Sequence, residues 1–450
     1  MGDRSIRAVT RRSDTDACPG ALRLHAAADG PLARDRLPGG QLTGGQLRVL
    51  GDLAERCGDG GLELTSRANV QLRALTSADP AELAARLSAA GLLPSATHET
   101  VRNIAAPALA GAPVRALVAE LDRRLCADPA LAALPGRFLF AIGEVTLDAD
   151  VAAIPTDPAT TPHPASPAFS ARPAFAVVLA GLDTGLRVSP ADVVPALLAA
   201  AHAFLAERAE TPGKPAWRLR ELPDGPARVA RRTAAALGAT RAAPATAATP
   251  PPARELIGVV EQPDGLFAAG ALVPLGRLAA AAVEVLARAG RVVITPWRGV
   301  VVPDLTAAEA SAWVRGLAAA GLAAEPDSRW TGVTACAGRP GCAKSLADVR
   351  ADADAATRHV PGLPVHWVGC DRGCGSPAGP HVRVEATPAG YVVTREAGPA
   401  GPAAPERPDP AAPKPPDTAA AKPPDTATPQ PPDPAAAVGM LADLVAARRR

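Results

Sequence analysis

The sequence predicts an α+β fold built on an internal duplication, and two observations carry that expectation. Residues 64–92, opening Leu64-Thr65-Ser66-Arg67-Ala68-Asn69-Val70, align without a gap to 294–322, opening Ile294-Thr295-Pro296-Trp297-Arg298-Gly299-Val300. Thr65/Thr295, Val70/Val300, Leu75/Leu305, Thr76/Thr306 and Leu87/Leu317 are each separated by the same 230 positions, and both runs end in A-A-G-L. A register held over that length signals a repeat rather than shared alanine content. The second observation is that both copies alternate apolar runs of strand period with amphipathic runs of helix period.

In the first copy Ala21–Leu24 and Leu32–Leu37 are predicted extended, Gly44–Cys57 an amphipathic helix, Leu62–Leu72 a strand, and Pro80–Ala90 a helix ended by Gly91. The second copy repeats the pattern over Val273–Ala289, Val292–Val302 and Ala307–Ala320, with Asp264-Gly265 answering Asp29-Gly30 upstream. Each copy reads as half of a ferredoxin-like α+β unit, and two halves paired across a pseudo-twofold axis would offer a cleft for a large planar ligand.

The last third of the chain carries Cys336 and Cys342 in T-A-C-A-G-R-P-G-C and Cys370 and Cys374 in G-C-D-R-G-C-G. Four thiolates are what a 4Fe-4S cubane needs, one for each iron. Glycines at 338, 341, 369, 373 and 375 suit a backbone that must wrap closely around an inorganic core. The C-x5-C and C-x3-C spacings fit a cluster better than the knuckles of a zinc ribbon. Disulfides would need an oxidising compartment, and the charged start, with no apolar core of a signal peptide, predicts a cytoplasmic chain. Zinc and unligated thiols remain the alternatives. Cys18, Cys57 and Cys126 are scattered and read as small buried hydrophobes. The 230-residue register sets Ala106 and Ala112 opposite Cys336 and Cys342, so the first copy lacks these ligands.

Gly338–Ser345 imitates a phosphate-binding loop, but Ala343 replaces its last glycine and two cysteines bracket it. No G-x-G-x-x-G follows a strand pattern, so electrons for a redox cluster would come from a partner protein.

With 450 residues, 48% of them hydrophobic, the chain is long enough for two or three domains. A net charge of +2 gives no broad footprint for nucleic acid or an anionic membrane, and 3% aromatics provide no base-stacking platform. No run reaches the roughly 18 apolar residues of a membrane span. The 50 prolines crowd residues 152–174, 243–253 and 398–434, where K-P-P-D-T-A occurs twice. Ala435–Arg450 predicts a short helix with a basic C-terminus, expected to be tethered and solvated.

The half-domain motif L-E-L-T-S-R-A-N-V-Q-L-R, the following V-R-N-I-A-A-P and the cysteine set resemble the siroheme-dependent sulfite and nitrite reductase superfamily. The stretches 17–23, 28–40 and 181–190 look like the branch of that superfamily that acts on precorrin-3A in oxygen-dependent cobalamin biosynthesis. The resemblance implies an N-terminal arm (1–16), a ferredoxin-like half-domain (17–97) and a reductase-like lobe without cluster ligands (98–242). A Pro-rich linker (243–254), a second half-domain (255–322), a 4Fe-4S lobe (323–397), a Pro-rich tail (398–434) and a C-terminal helix (435–450) follow.

The activity implied is insertion of one oxygen atom from O2 into a tetrapyrrole, with electrons from an external NAD(P)H-linked reductase or ferredoxin. Peripheral carboxylates of such a substrate call for guanidinium groups. Arg67 and Arg102 match the superfamily's anion-facing arginines, with Asn69, Gln71, Arg73 and Asn103 beside them; Arg137 lies in Leu134-Pro135-Gly136-Arg137-Phe138-Leu139. That last stretch matches an L-P-x-K-F-K element of the reductases, so a leucine replaces their second cation. The loss disfavours a six-electron reductase that carries siroheme. An additional non-haem iron would serve oxygen activation. His25, His98, His202, His359, His366 and His381 show no ligand spacing for it, and His163 sits in a Pro-rich insert.

Overall fold

The computed structural model describes residues 18–145, 147–156, 174–243, 255–377, 379–397 and 434–449. The expected N-terminal arm, residues 244–254 of the linker, 398–433 of the tail, and His163 lie outside the described residues. The chain divides into two compact units, Met1–Ser328 and Arg329–Arg450.

The duplication is visible in the first unit as two antiparallel five-stranded sheets. One runs in the order His25–Ala27, Gly30–Asp35, Val70–Leu72, Leu62–Leu64, Arg277–Leu278; the other runs Gly258–Glu261, Phe267–Leu272, Gly299–Leu305, Val292–Ile294, Gln41–Leu42. The edge strand of each sheet belongs to the other copy. Leu42 pairs with Val292 and Leu278 with Leu62, so the copies exchange a two-residue strand reciprocally, as a pseudo-twofold requires.

Helices Gly44–Cys57 and Pro80–Ala89 cover the first sheet's copy, and Ala280–Leu286 and Ala307–Ala319 the second's. Thr43 with Gln46, and Thr306 with Glu309, form reciprocal capping boxes that satisfy helix N–H groups. Leu47, Leu50 and Leu53 enter one core with Val283, Leu286 and Leu317.

Three expectations need correction here, the first being Ala21–Leu24, which is a bend preceding the strand His25–Ala27 rather than extended chain. The single strand over Leu62–Leu72 is a hairpin: the chain reverses at Thr65–Asn69, where Thr65 Oγ1 accepts from the amides of Arg67 (3.3 Å) and Asn69 (3.1 Å). The second copy turns the same way, with Thr295 Oγ1 accepting from Gly299 N at 3.0 Å, and Ala68 and Arg298 both have left-handed φ (57° and 59°). Helix does not begin at Val273 either. Pro274–Gly276 is a turn that feeds the exchanged strand, and helix starts at Ala280.

Between the copies, strands Ile104–Ala105, Phe140–Ile142 and Val151–Thr156 run parallel, and Ala174–Leu179 and Leu182–Val188 complete the sheet as a hairpin. Phe138, Phe140 and Phe204 pack at its centre, with ring centroids 5.1 and 4.8 Å apart. Among the described residues one helical stretch, Pro190–Glu210, is long and apolar enough to cross a membrane, but Val194, Leu197, Ala201 and Phe204 are buried in this lobe's core.

The second unit repeats the lobe's plan. Val333–Ala335, Val365–Val368 and His381–Thr387 are parallel, Gly390–Glu396 pairs antiparallel to the last, and helix Val349–Ala356 connects the first two. The C-terminal helix, Pro434–Arg449, is not the solvated appendage expected. Ala442 is buried, and Arg449 donates through Nε to Leu363 O and through Nη2 to Thr331 O, both at 3.0 Å. Its small residues let the helix lie close on the sheet, and its last carbonyls are bonded by Leu363 N (3.0 Å) and Arg395 Nε (2.7 Å).

Candidate functional site

In the first unit, the hairpin turn at Thr65–Asn69 presents Arg67. Its Nη1 donates to the carbonyl of Arg137 at 3.0 Å, and the Arg137 guanidinium lies over the Trp217 ring, 4.9 Å from the centroid. Burial, and then the charge of Arg218, push the Arg67 pKa down to about 10, so it stays cationic at neutral pH while resting beside another cation. Arg218 is held by Asp150, 2.7 Å from Nε to Oδ2. Asp150 is almost fully buried and also accepts from Leu139 N and Leu219 N (2.9 and 2.7 Å). Burial raises its pKa against the pull of Arg218. The result is a guanidinium-rich surface with an aromatic plate, the chemistry that suits a planar polycarboxylate.

The other five expected contact residues are engaged inside the same unit. Asn69 accepts from Leu37 N (3.0 Å) and donates to Asn103 Oδ1 (3.4 Å); Asn103 in turn donates to Gly136 O (2.8 Å). Gln71 accepts from Arg34 and donates to Glu63 (3.1 Å). Arg73 makes a two-bond pair with Asp29 (2.9 and 3.0 Å), and Arg102 a two-bond pair with Asp122 (2.7 Å each) plus a bond to Leu92 O (2.9 Å). The structure therefore brings Arg67 and Arg137 to one surface and gives Asn69, Gln71, Arg73, Arg102 and Asn103 hydrogen-bond partners inside the same unit.

Trp217, Arg218 and Arg34 belong beside this surface and were not singled out from the sequence. The aromatic-basic run Trp217-Arg218-Leu219-Arg220 was the available mark. A cavity of about 210 Å³ opens among Arg36, Gln41, Gln46, Arg102, Arg115 and Asp122. It is smaller than the roughly 300 Å³ of ordinary ligand pockets and far too small for a tetrapyrrole.

In the second unit the four cysteines emerge from the C-terminal ends of adjacent parallel strands. Cys336 follows Val333–Ala335, and its N–H continues the ladder to Trp367 O at 2.9 Å; Cys370 follows Val365–Val368. Gly369 N donates to Cys336 Sγ at 3.3 Å, while burial raises the Cys336 thiol and the amides of Gly369 and Gly338 oppose that. Cys336, Cys342 and Cys370 are half-buried and Cys374 is exposed.

Among the described residues no three His, Cys, Asp or Glu converge on a single ion. A cubane asks for something looser, because each thiolate binds a different iron at a separate corner. The local backbone fits that demand. A Cβ at Gly338, where φ is 67°, would come within 2.8 Å of Val349 Cγ2, and one at Gly369 would collide with Ser345 Oγ, so the turns beside Cys336 and Cys370 call for glycine. The imitation phosphate loop does not lead into a helix at its lysine: Lys344 is exposed and helix begins only at Val349, capped by Asp348.

The histidines are dispersed in the first unit between Asp128, which His98 and His202 both contact (2.9 and 2.6 Å), and His25 on an edge strand. In the second, His381 bonds Gly379 O (2.8 Å) and His366 lies in the sheet.

Residues 29–90 match the nitrite/sulfite reductase ferredoxin-like half domain. That match falls on the first copy of the duplicated fold. It is similar to precorrin-3B synthase of a Sinorhizobium species, 28% identical over 87% of this chain and 84% of the relative. It is also similar to ferredoxin–nitrite reductase of Synechococcus elongatus, 28% identical over 77% of this chain and 74% of the relative. The structure of Mycobacterium tuberculosis NirA shares the fold, with a TM-score of 0.64 at 22% identity, covering 81% of this chain and 73% of that one.

Proposed function

We propose that the protein is an oxidoreductase that converts precorrin-3A to precorrin-3B, hydroxylating C20 with O2 and closing a lactone from the ring A acetate. Cys336, Cys342, Cys370 and Cys374 would hold a 4Fe-4S cluster, and an external NAD(P)H-linked reductase or ferredoxin would reduce it. When bound, the cluster supplies electrons singly. Arg67 and Arg137 bind and orient the substrate's carboxylates, and Trp217 offers an apolar face to the macrocycle. No ligand set for an additional non-haem iron is assigned.

One observation favours this reading over a siroheme-dependent nitrite or sulfite reductase. Leu139, where the resemblance implies a second distal cation for the reductases, is 2% exposed and packed with Ala105, Ala141 and Ala152. A six-electron reduction of an anion needs cations and proton donors at the reacting centre, and a buried leucine supplies neither. The ferredoxin–nitrite reductase likeness keeps siroheme reduction as the second reading.

Iron, sulfide and pigment content of anaerobically purified protein separates the two. About four irons and four sulfides without a co-purifying tetrapyrrole, and turnover of precorrin-3A with O2, are expected. Siroheme absorption bands would establish the reductase, and zinc without sulfide would remove both.

A further inference from the structure

We propose that His366 is a positioning residue for the cluster, tying the loop of Cys370 and Cys374 to the strand that carries Cys336. The inference rests on the cluster reading above. His366 is fully buried in the strand Val365–Val368, directly opposite Thr334 on the neighbouring parallel strand. Its Nδ1 lies 2.8 Å from Thr334 Oγ1, and its Nε2 donates to the carbonyl oxygen of Cys374 at 3.1 Å. A carbonyl can only accept, so Nε2 carries a proton in this arrangement.

The imidazole thus spans from a hydroxyl two residues before Cys336 to the backbone of the last cysteine. That cysteine is the exposed one of the four, in a turn closed by Ser376, whose N and Oγ donate to Gly373 O (3.1 and 2.8 Å). Cys370 O accepts from Gly373 N (3.3 Å), and Asp371 O accepts from Arg383 Nη2 (3.0 Å), so Arg383 holds the near end of the loop, while His366 ties the Cys374 carbonyl at the far end to the sheet. Fixing a ligand's backbone from behind is how surrounding groups set metal affinity and cluster potential. A histidine that merely filled the sheet would support folding and leave both properties unmoved.

The test uses full-length protein reconstituted anaerobically with ferrous iron and sulfide. A wild type that forms no iron–sulfide chromophore overturns the cluster reading itself, before any variant is compared. With a loaded wild type, loss of the chromophore to a ferrous chelator is timed for His366→Gln, whose amide can still donate to the Cys374 carbonyl, and for His366→Asn, whose shorter amide reaches only Thr334. The Asn variant is expected to lose its cluster about fivefold faster, the scale of one hydrogen bond, and to show a changed electron paramagnetic resonance signal when reduced. The Gln variant is expected within about twofold of wild type. Wild-type loss rate and signal in the Asn variant, or equally fast loss in both variants, overturns the role. Should circular dichroism show the Asn variant unfolded, Thr334→Val decides. It removes the hydroxyl that fixes the ring while keeping a β-branched strand residue; faster cluster loss supports the tie and an unchanged rate overturns it.

Discussion

Arg67 donates to the main-chain carbonyl of Arg137, so the side chain of one candidate carboxylate ligand fixes the backbone of the other. Arg67→Ala should therefore weaken polycarboxylate tetrapyrrole binding twice, by removing a cation and by loosening Arg137 from Trp217. Arg137→Ala should cost only its own contact, on the order of 1–2 kcal/mol for a charge-assisted hydrogen bond at an exposed site. Absorbance titration with a polycarboxylated porphyrin compares them, and equal losses would contradict the coupling.

Arg102 and Asp122 should matter for folding rather than for binding. Both side chains are largely buried, at 5% and 18% exposure, and Arg102→Ala leaves the carboxylate without its two-bond partner. A loss of about 3 kcal/mol in urea unfolding is expected. Tetrapyrrole affinity of the folded fraction should stay within about twofold, less than one hydrogen bond's share.

Asp35 makes stability depend on pH in a particular direction. Burial pushes its pKa up to about 7 even though Arg102 and Arg36 pull it down, and its Oδ2 meets no hydrogen-bond partner among the described residues. The folded chain therefore keeps a proton that the unfolded chain has released above pH ~4. Stability should fall as pH rises from about 4 to 7, by at most about 4 kcal/mol. Asp35→Asn should flatten that slope in denaturation curves taken at pH 5 and pH 8; an unchanged slope would assign the pH dependence to other groups.

Gly40 is a sharper structural test. It has φ 70°, and a Cβ there would collide with Ile294 O in the second copy and approach Ala68 Cβ at 3.1 Å. Gly40→Ala combines a left-handed backbone with a clash against main chain, and a cost above about 2 kcal/mol is expected by thermal unfolding.

The helix Gly44–Cys57 was legible because its period is sustained over 14 residues, and the duplication was legible because its register is fixed. The turn at Thr65–Asn69 was hidden: Ala68 takes a left-handed φ without the glycine that would announce it. The exchanged strands were beyond reach, since two residues carry no period and their partners lie in the other copy. At the candidate site spacing alone groups the four cysteines, whereas the pairing of Arg73 with Asp29 and of Arg102 with Asp122 depends on tertiary neighbours. Trp217 and Arg218 were missed for the same reason, since only folding brings them to Arg67.

The reciprocal strand exchange constrains what recombination or truncation can do to this chain. Residues 18–243 alone would present the backbone of Leu62–Leu64 as a raw edge, and residues 255–328 alone would do so with Val292–Ile294. Such edges invite self-association. A polypeptide severed between those segments is expected to be productive only by fragment complementation, with neither piece surviving as a heritable module. A duplicated ancestor bound in this way could diverge in its surface loops but could no longer shed either copy.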